Sequence, residues 1–252
     1  MKVILARRAG KYKSGALESV RLNPMGKRQE ARERIEAKII EVGRRQLLAH
    51  GAAGLSLRAV ARDLGMVSSA VYRYVAGRDE LLTLLVVDAY SDLADTVDRA
   101  RSPGARWRDE IRVIGHAVRD WALAHPARWA LLYGSPVPGY HAPAERTVVP
   151  GTRVIAAMLE TVAAGIAAGD IPPTSQLATQ PLSADSDRIR AEFGFIGDDG
   201  VIAKCLLLWA ALVGAISLDV FGGYGADTLT RPRAVFDAQL SLLLGMLTQP
   251  PD

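Results

Sequence analysis

Apolar residues in this chain recur at spacings of three and four, the repeat of an amphipathic helix, with no sustained two-residue alternation of a half-buried strand. From Gln29 to His50 the repeat runs through Ile35, Ile39, Val42 and Leu47, with Gln46 as a polar interruption and Gly51 placed to close the helix. Leu57, Val60, Ala61 and Leu64 mark a second helix, opened by Ser56 as N-cap and ended at Gly65. A third, capped by Ser68 or Ser69, reaches about Val75. Asp79 is placed to cap the next pattern, Leu81–Arg99, which carries Leu82, Leu85, Val86, Ala89, Leu93 and Val97. Trp107 to Ala124 is helical. His125-Pro126 interrupts it, because a residue before proline is pushed out of the α region, and Pro126 then suits the first turn of a short helix to Tyr133. Ser135–Pro143 reads as a loop, Thr147–Ala168 as a long apolar helix, Gly169–Asp199 as a polar, partly ordered stretch. Val201–Phe221 and Arg233–Leu247 are the last helices. The expected fold is all-α.

Charge divides this helical chain. The net charge is +4, but residues 1–80 carry +9 and residues 81–252 carry −5. A basic end beside an acidic body is the electrostatic footprint of a nucleic-acid binder. Residues 1–27 show no sustained period and have two readings: a flexible basic arm adding phosphate contacts, or residues upstream of a start at Met25. The expected organisation is this extension (1–27), a DNA-binding domain (28–80) and a helical regulatory and dimerisation domain (81–252). No apolar run reaches the roughly 20 residues that span a bilayer; the longest, Cys205–Phe221, contains Asp219. The first ten residues are too short in apolar content for a secretion signal, so the cytoplasm is the expected location and no membrane partner is expected. A single cysteine, Cys205, allows no internal disulfide, and His50, His116, His125 and His141 lack metal-ligand spacing. Neither a metal nor a cofactor is expected. Nucleophile-elbow, zinc-protease, phosphate-loop and dinucleotide motifs do not occur, which argues against an enzyme.

The stretch LSLRAVARDLGMVSSAVYRYVAGRDEL (Leu55–Leu81) carries the chemistry. Val60, Ala61, Leu64, Val71 and Val75 have the spacing of a small apolar scaffold, and Gly65 permits a tight turn between two helices. Ser68, Ser69 and Ala70 are small enough for the second helix to approach a DNA duplex closely. Arg73 can reach guanine O6 and N7 or a phosphate. Tyr72 and Tyr74 can donate hydroxyls to phosphates, and Arg58 and Arg78 flank the groove. From about Glu36 to Leu82 the chain resembles the TetR family of bacterial transcriptional regulators, through Ile39-Ile40, Gly51, Ser56, Val60-Ala61, Gly65-Met66-Val67-Ser68, Tyr72-Arg73-Tyr74-Val75 and Arg78. It departs from the family pattern at Met66, which displaces the valine or the serine by one, at Val75 in place of a phenylalanine, and at Gln46. The resemblance implies phosphate contacts from Ser56, Arg58, Tyr72, Tyr74 and Arg78, and groove-facing positions at Ser68, Ser69, Ala70 and Arg73, on a double-stranded DNA operator.

The remaining helices resemble the family's ligand-binding and dimerisation region. WALAHPARWALLYG (Trp121–Gly134) is similar to a variant of that region marked by Trp121, His125 and Gly134. Trp107, His116, Trp121, Trp129 and Tyr133, with Met158 and Val162 from the long apolar helix, are the candidate lining of a pocket for a small apolar effector. Leu206, Trp209, Val213 and Ser217, with Leu240 and Leu244, are the candidate homodimer face, which would form a four-helix bundle about a two-fold axis and require a palindromic operator. The alternative is a DNA-binding protein without a small-molecule switch, controlled by a protein partner. A cavity near Trp121 and Tyr133 favours the first, and a filled core there the second.

Overall fold

A computed structural model describes residues 24–102, 104–174, 183–225 and 227–249, which form ten α-helices and, among the described residues, no strand. They are α1 (Pro24–His50), α2 (Leu57–Asp63), α3 (Ser68–Val71), α4 (Arg78–Ala100), α5 (Trp107–Ala124), α6 (Pro126–Tyr133), α7 (Ala144–Ala167), α8 (Ser183–Phe193), α9 (Asp199–Val220) and α10 (Pro232–Thr248). Residues 24–27 are helical, not irregular as their sequence suggested. Residues 1–23, and with them the basic-arm reading, lie outside the described residues.

Several boundaries depart from expectation by a residue or a turn, and each has a local cause. Neither Ser68 nor Ser69 caps α3: Val67 occupies the cap position with extended backbone and no capping side chain, so both serines are already helical. Helical structure stops at Val71, and residues 72–74 form a turn with contacts such as Tyr74 N–H to Val71 O at 2.9 Å. Asp79 does not cap α4 either; Gly77 does, which places Asp79 and Glu80 in the first turn, where a carboxylate suits the helix dipole. Part of the polar stretch 169–199 is the helix α8. By length and composition α7 and α9 could each cross a membrane, contrary to the reading of apolar runs, but about half of each apolar window is buried inside the protein.

Two hydrophobic cores meet along α4. The first joins Ile39, Val42 and Leu47 of α1 to Val60, Val71 and Val75, and is closed by Leu81, Leu82 and Leu85 of α4. The second takes Ala89, Leu93, Ala94 and Val97 of the same helix and packs them with α5, α6, α7, α9 and α10. Gln46, the polar interruption of α1, is buried but satisfied: its amide accepts the Ser56 N–H at 3.4 Å and donates to Asp63 at 3.4 Å.

The joint between the two halves is polar. Buried Arg128 of α6 donates to Asp92 at 2.6 Å and to Asp88 at 3.1 Å, and Arg44 of α1 reaches Asp88 from the other side at 2.8 Å. The Trp121 indole N–H adds a bond to Asp92 at 2.9 Å. Burial opposes ionisation of Asp92, but Trp121 and Arg128 outweigh it and hold its carboxyl below the usual range. Nearby, Arg146 in the first turn of α7 pairs with Glu80 at 2.8 Å, and the Tyr140 and Thr83 hydroxyls meet at 3.0 Å, tying α7 and the segment before it to the start of α4.

A lowered native pKa means that the ionised Asp92 contributes stability above the unfolded aspartate range and that this is lost as pH falls through the native value. The Asp92→Asn variant is therefore expected to show a shallower loss of stability in that acid range, as measured by denaturant titrations at stepped pH. Gly165 offers a separate check. A Cβ there would sit 2.7 Å from Ile171 and 3.0 Å from the Trp107 ring. Gly165→Ala should cost about 1–3 kcal/mol in urea unfolding despite the better helix propensity of alanine.

Candidate nucleic-acid interface

The turn that presents α3 is built from backbone bonds. Leu64 N–H reaches Val60 O at 3.0 Å and Met66 N–H reaches Ala61 O at 2.9 Å, around Gly65 at φ 65°. This is the left-handed closure that glycine supplies without a Cβ penalty. The Ser56 hydroxyl accepts the Ala59 N–H at 3.4 Å, so its oxygen serves the start of α2 as expected of an N-cap. With Val71 and Val75 fully buried beneath, the opposite side of α3 and its following turn is left outward.

That outward side collects most of the expected DNA residues. Ser68, Ser69, Tyr72 and Arg73 are exposed, Ala70 is half-buried, and Arg58 is exposed at the start of α2. Tyr74 is turned partly inward, with the Arg32 guanidinium of α1 5.9 Å from its ring centre. Arg78 is already engaged: it donates to Ala52 O at 3.1 Å and Ala53 O at 3.4 Å, holding the 3-10 turn after α1 against the start of α4. Sequence reasoning passed over Val67, which is 70% exposed immediately ahead of Ser68. An exposed valine there has the shape to contact a thymine methyl; its signal in the sequence was only its position after the turn.

The body redistributes the other candidates. Trp107, Trp121 and Trp129 are buried, but their indole N–H groups point three ways, to Asp170 at 2.8 Å, Asp92 at 2.9 Å and Ser217 at 3.1 Å. Trp107, Trp121 and Val162 are therefore filled core. His116 faces α10 instead, with Nε2 2.7 Å from Asp237 and its ring edge-on to Phe236. Trp129 and Tyr133 do come together, with ring centres 4.3 Å apart, and Trp209 of α9 and Tyr90 of α4 stand edge-on to Tyr133. Met158 and Trp209 also line a narrow apolar crevice of about 30 Å³ between α7, α8 and α9, with Ile155, Phe193, Ile202 and Cys205. Burial pushes the Cys205 thiol up to about 12. Of the candidate dimer residues, Leu206 is exposed, Val213 and Ser217 are half-buried, and Trp209, Leu240 and Leu244 face the core. Exposed apolar residues of this region are Leu206, Leu207 and Leu218 of α9, Phe221 just beyond it, and Leu242 of α10; of these, Leu218 and Leu242 line a groove of about 420 Å³ between the two helices. Among the described residues no group of three or more His, Cys, Asp or Glu side chains could hold a metal.

Residues 39–85 match the family described as bacterial regulatory proteins of the tetR family, and residues 111–243 match the tetracyclin repressor-like C-terminal domain. An HTH-type transcriptional regulator of Mycobacterium tuberculosis is 66% identical over 227 residues, spanning 89% of this chain and 97% of that protein. The chain belongs to the TetR family of transcriptional regulators. It is accordingly a DNA-binding regulator that reads through a helix-turn-helix, and its family is not one of enzymes. The crystal structure of SCO4313, assigned as a regulatory protein, superimposes with a TM-score of 0.70 at 32% identity over 86% of this chain and 98% of that one. The regulator FadR from Bacillus subtilis, crystallised in complex with stearoyl-CoA, shares the fold at a TM-score of 0.59 and 10% identity, over 82% of this chain and 97% of that one.

As in other TetR-type reading heads, affinity for DNA should rest on phosphate contacts, and binding should weaken steeply as salt is raised. Arg73→Ala is expected to cost about 1–3 kcal/mol on the best sequence and to relax preference at one base position, measured by binding to a panel of operator variants. An equal loss on every sequence would instead make Arg73 a phosphate contact.

Proposed function

We propose that this TetR-family regulator acts as a homodimer on a palindromic operator, represses transcription from it, and is released by a small, largely apolar effector held in the body. The observation that carries the dimer is the outward apolar face of α9 and α10. Leu242 is 75% exposed and Leu218 46%, and both line the groove between the two helices, a pairing that marks an unpartnered apolar surface. A two-fold pairing on this face would present two copies of α3 to one side of a duplex, at half-sites one or more helical turns apart. Ser56, Arg58, Tyr72 and Tyr74 would contact phosphates, and Ser68, Ser69, Ala70 and Arg73 would face the bases. Arg78 would serve by holding α4 to α1. For the effector, the supporting features are the aromatic group Tyr90, Trp129, Tyr133 and Trp209 and the adjoining crevice at Met158. Bacillus subtilis FadR, which shares the fold, was crystallised in complex with stearoyl-CoA, which supports an apolar chain as the occupant class. The filled core at Trp121 is the feature that favours the second reading, control by a protein partner.

Selection of bound sequences from random DNA tests the central claim. A repeated, inverted half-site is expected, and a single asymmetric site would refute the two-fold reading. Leu207→Glu with Leu242→Glu should convert a dimer to monomer in analytical ultracentrifugation, weakening operator binding while leaving the helix content unchanged.

A further inference from the structure

Tyr90 and Tyr133 are the polar exception inside the aromatic group. Their rings stand edge to face with centres 6.3 Å apart, on α4 and α6. Tyr90 is only 8% exposed. Neither hydroxyl has a hydrogen-bond partner among the described residues, although a buried tyrosine hydroxyl ordinarily finds one. Nor are these oxygens sealed off: the fully enclosed side-chain atoms without a partner are His116 Nδ1, Arg119 Nε and Arg128 Nε. Two hydroxyls without partners, one on the buried Tyr90 and one on the half-buried Tyr133, thus face each other's helices with contact to open space left over. Burial raises the Tyr133 hydroxyl well above its ordinary value and that of Tyr90 to about 12, so both remain protonated and able to donate.

The neighbouring side chains define what these two hydroxyls could receive. Trp129 and Trp209 flank Tyr133, and the Trp129 indole N–H is already spent on Ser217. Trp209 continues into the crevice of Ile155, Met158 and Phe193, whose lining is apolar and includes a methionine that can move aside. No cation among the described residues acts on either tyrosine; Arg128, on the same helix as Tyr133, is held by Asp88 and Asp92. A carboxylate would lose its hydration there without a counter-charge, whereas a neutral carbonyl loses far less and accepts a hydrogen bond in return.

We infer that Tyr90 and Tyr133 form the polar end of an effector site that recognises one neutral hydrogen-bond-accepting oxygen, such as a ketone or ester carbonyl, on an otherwise apolar molecule whose tail runs past Trp209 toward Met158. This rests on the effector-responsive reading above and adds the chemistry of its ligand. A donated hydrogen bond from a buried hydroxyl is worth about 1 kcal/mol net, or about fivefold in affinity.

The test is a titration of the full chain with decane, decanone and decanoate, followed through tryptophan emission, to which Trp129 and Trp209 report directly. Decanone is expected to bind about fivefold more tightly than decane, with decanoate weakest. In the doubly substituted Tyr90→Phe, Tyr133→Phe protein, which keeps both rings, the preference for decanone should vanish while decane binding persists. Equal binding of decane and decanone by the unsubstituted chain, or tightest binding of decanoate, overturns the oxygen site but leaves an apolar effector pocket standing. Retention of the preference in the double variant also overturns it. Failure of all three probes to bind overturns the site and the effector-responsive reading together. Should the double variant fail to melt cooperatively, the ranking on the unsubstituted chain still decides.

Discussion

Arg128 is a charge taken out of water, and the joint between the two halves of the molecule is arranged to satisfy it. Desolvating a guanidinium costs several kcal/mol unless anions and hydrogen bonds replace the water. Asp88 and Asp92 lie one turn apart on α4, so both face α6 together, and Arg128 must sit between them. That requirement sets the rotation of α6 against α4. It also orients Trp121, which binds the same Asp92, and it recruits α1, because the second side of Asp88 is taken by Arg44. Removing either aspartate leaves the buried Arg128 short of counter-charge. Three helices from two different cores are thus held by one set of ionised groups.

How far the sequence reveals this varies with the range of the physics. The observed α5 and α6 coincide with the expected Trp107–Ala124 and Pro126–Tyr133, because a residue before proline leaves the helix for local steric reasons. The turn at Gly65 is equally local. The cap of α3 is not: serine suits either the cap or the first turn, and the extended backbone at Val67 decides between them. Helix α8 was hidden because its SADSDRIRAEF segment offers little beyond Ile189 and Phe193 to an apolar face. Trp107, Trp121 and Trp129 are close along the chain, which suggests a single cluster. On their helices they point to three different acceptors, and only Trp129 joins the aromatic group with Tyr133. Trp209 and Tyr90, the other members, come from distant helices that spacing cannot bring together.

The α9 helix shows a different limit. It is apolar nearly all round, so its period does not distinguish the inner from the outer face. Leu208, Leu212 and Ile216 are buried, while Leu206, Leu207 and Leu218 are not. A helix hydrophobic on every side belongs in the interior of something larger than what covers it. Its chemistry is the reverse of the surface around α3, where the exposed side chains are small, hydroxylated or basic. The two surfaces are made by different cores and meet different demands, one for burial and the other for close approach to charged phosphate.

Between them runs α4. Its residues from Arg78 to Ala100 include neither glycine nor proline, the usual sites at which a helix bends. At 1.5 Å per residue it is a rod about 34 Å long. Leu81, Leu82 and Leu85 clamp one end into the reading head, and Tyr90, Leu93 and Val97 lie in the body. A rod without a hinge cannot absorb a tilt along its length. A change of angle near Tyr90 must therefore be delivered at Leu81 as a sideways displacement, and the roughly two and a half turns between them act as a lever arm whose stiffness comes from what the sequence leaves out.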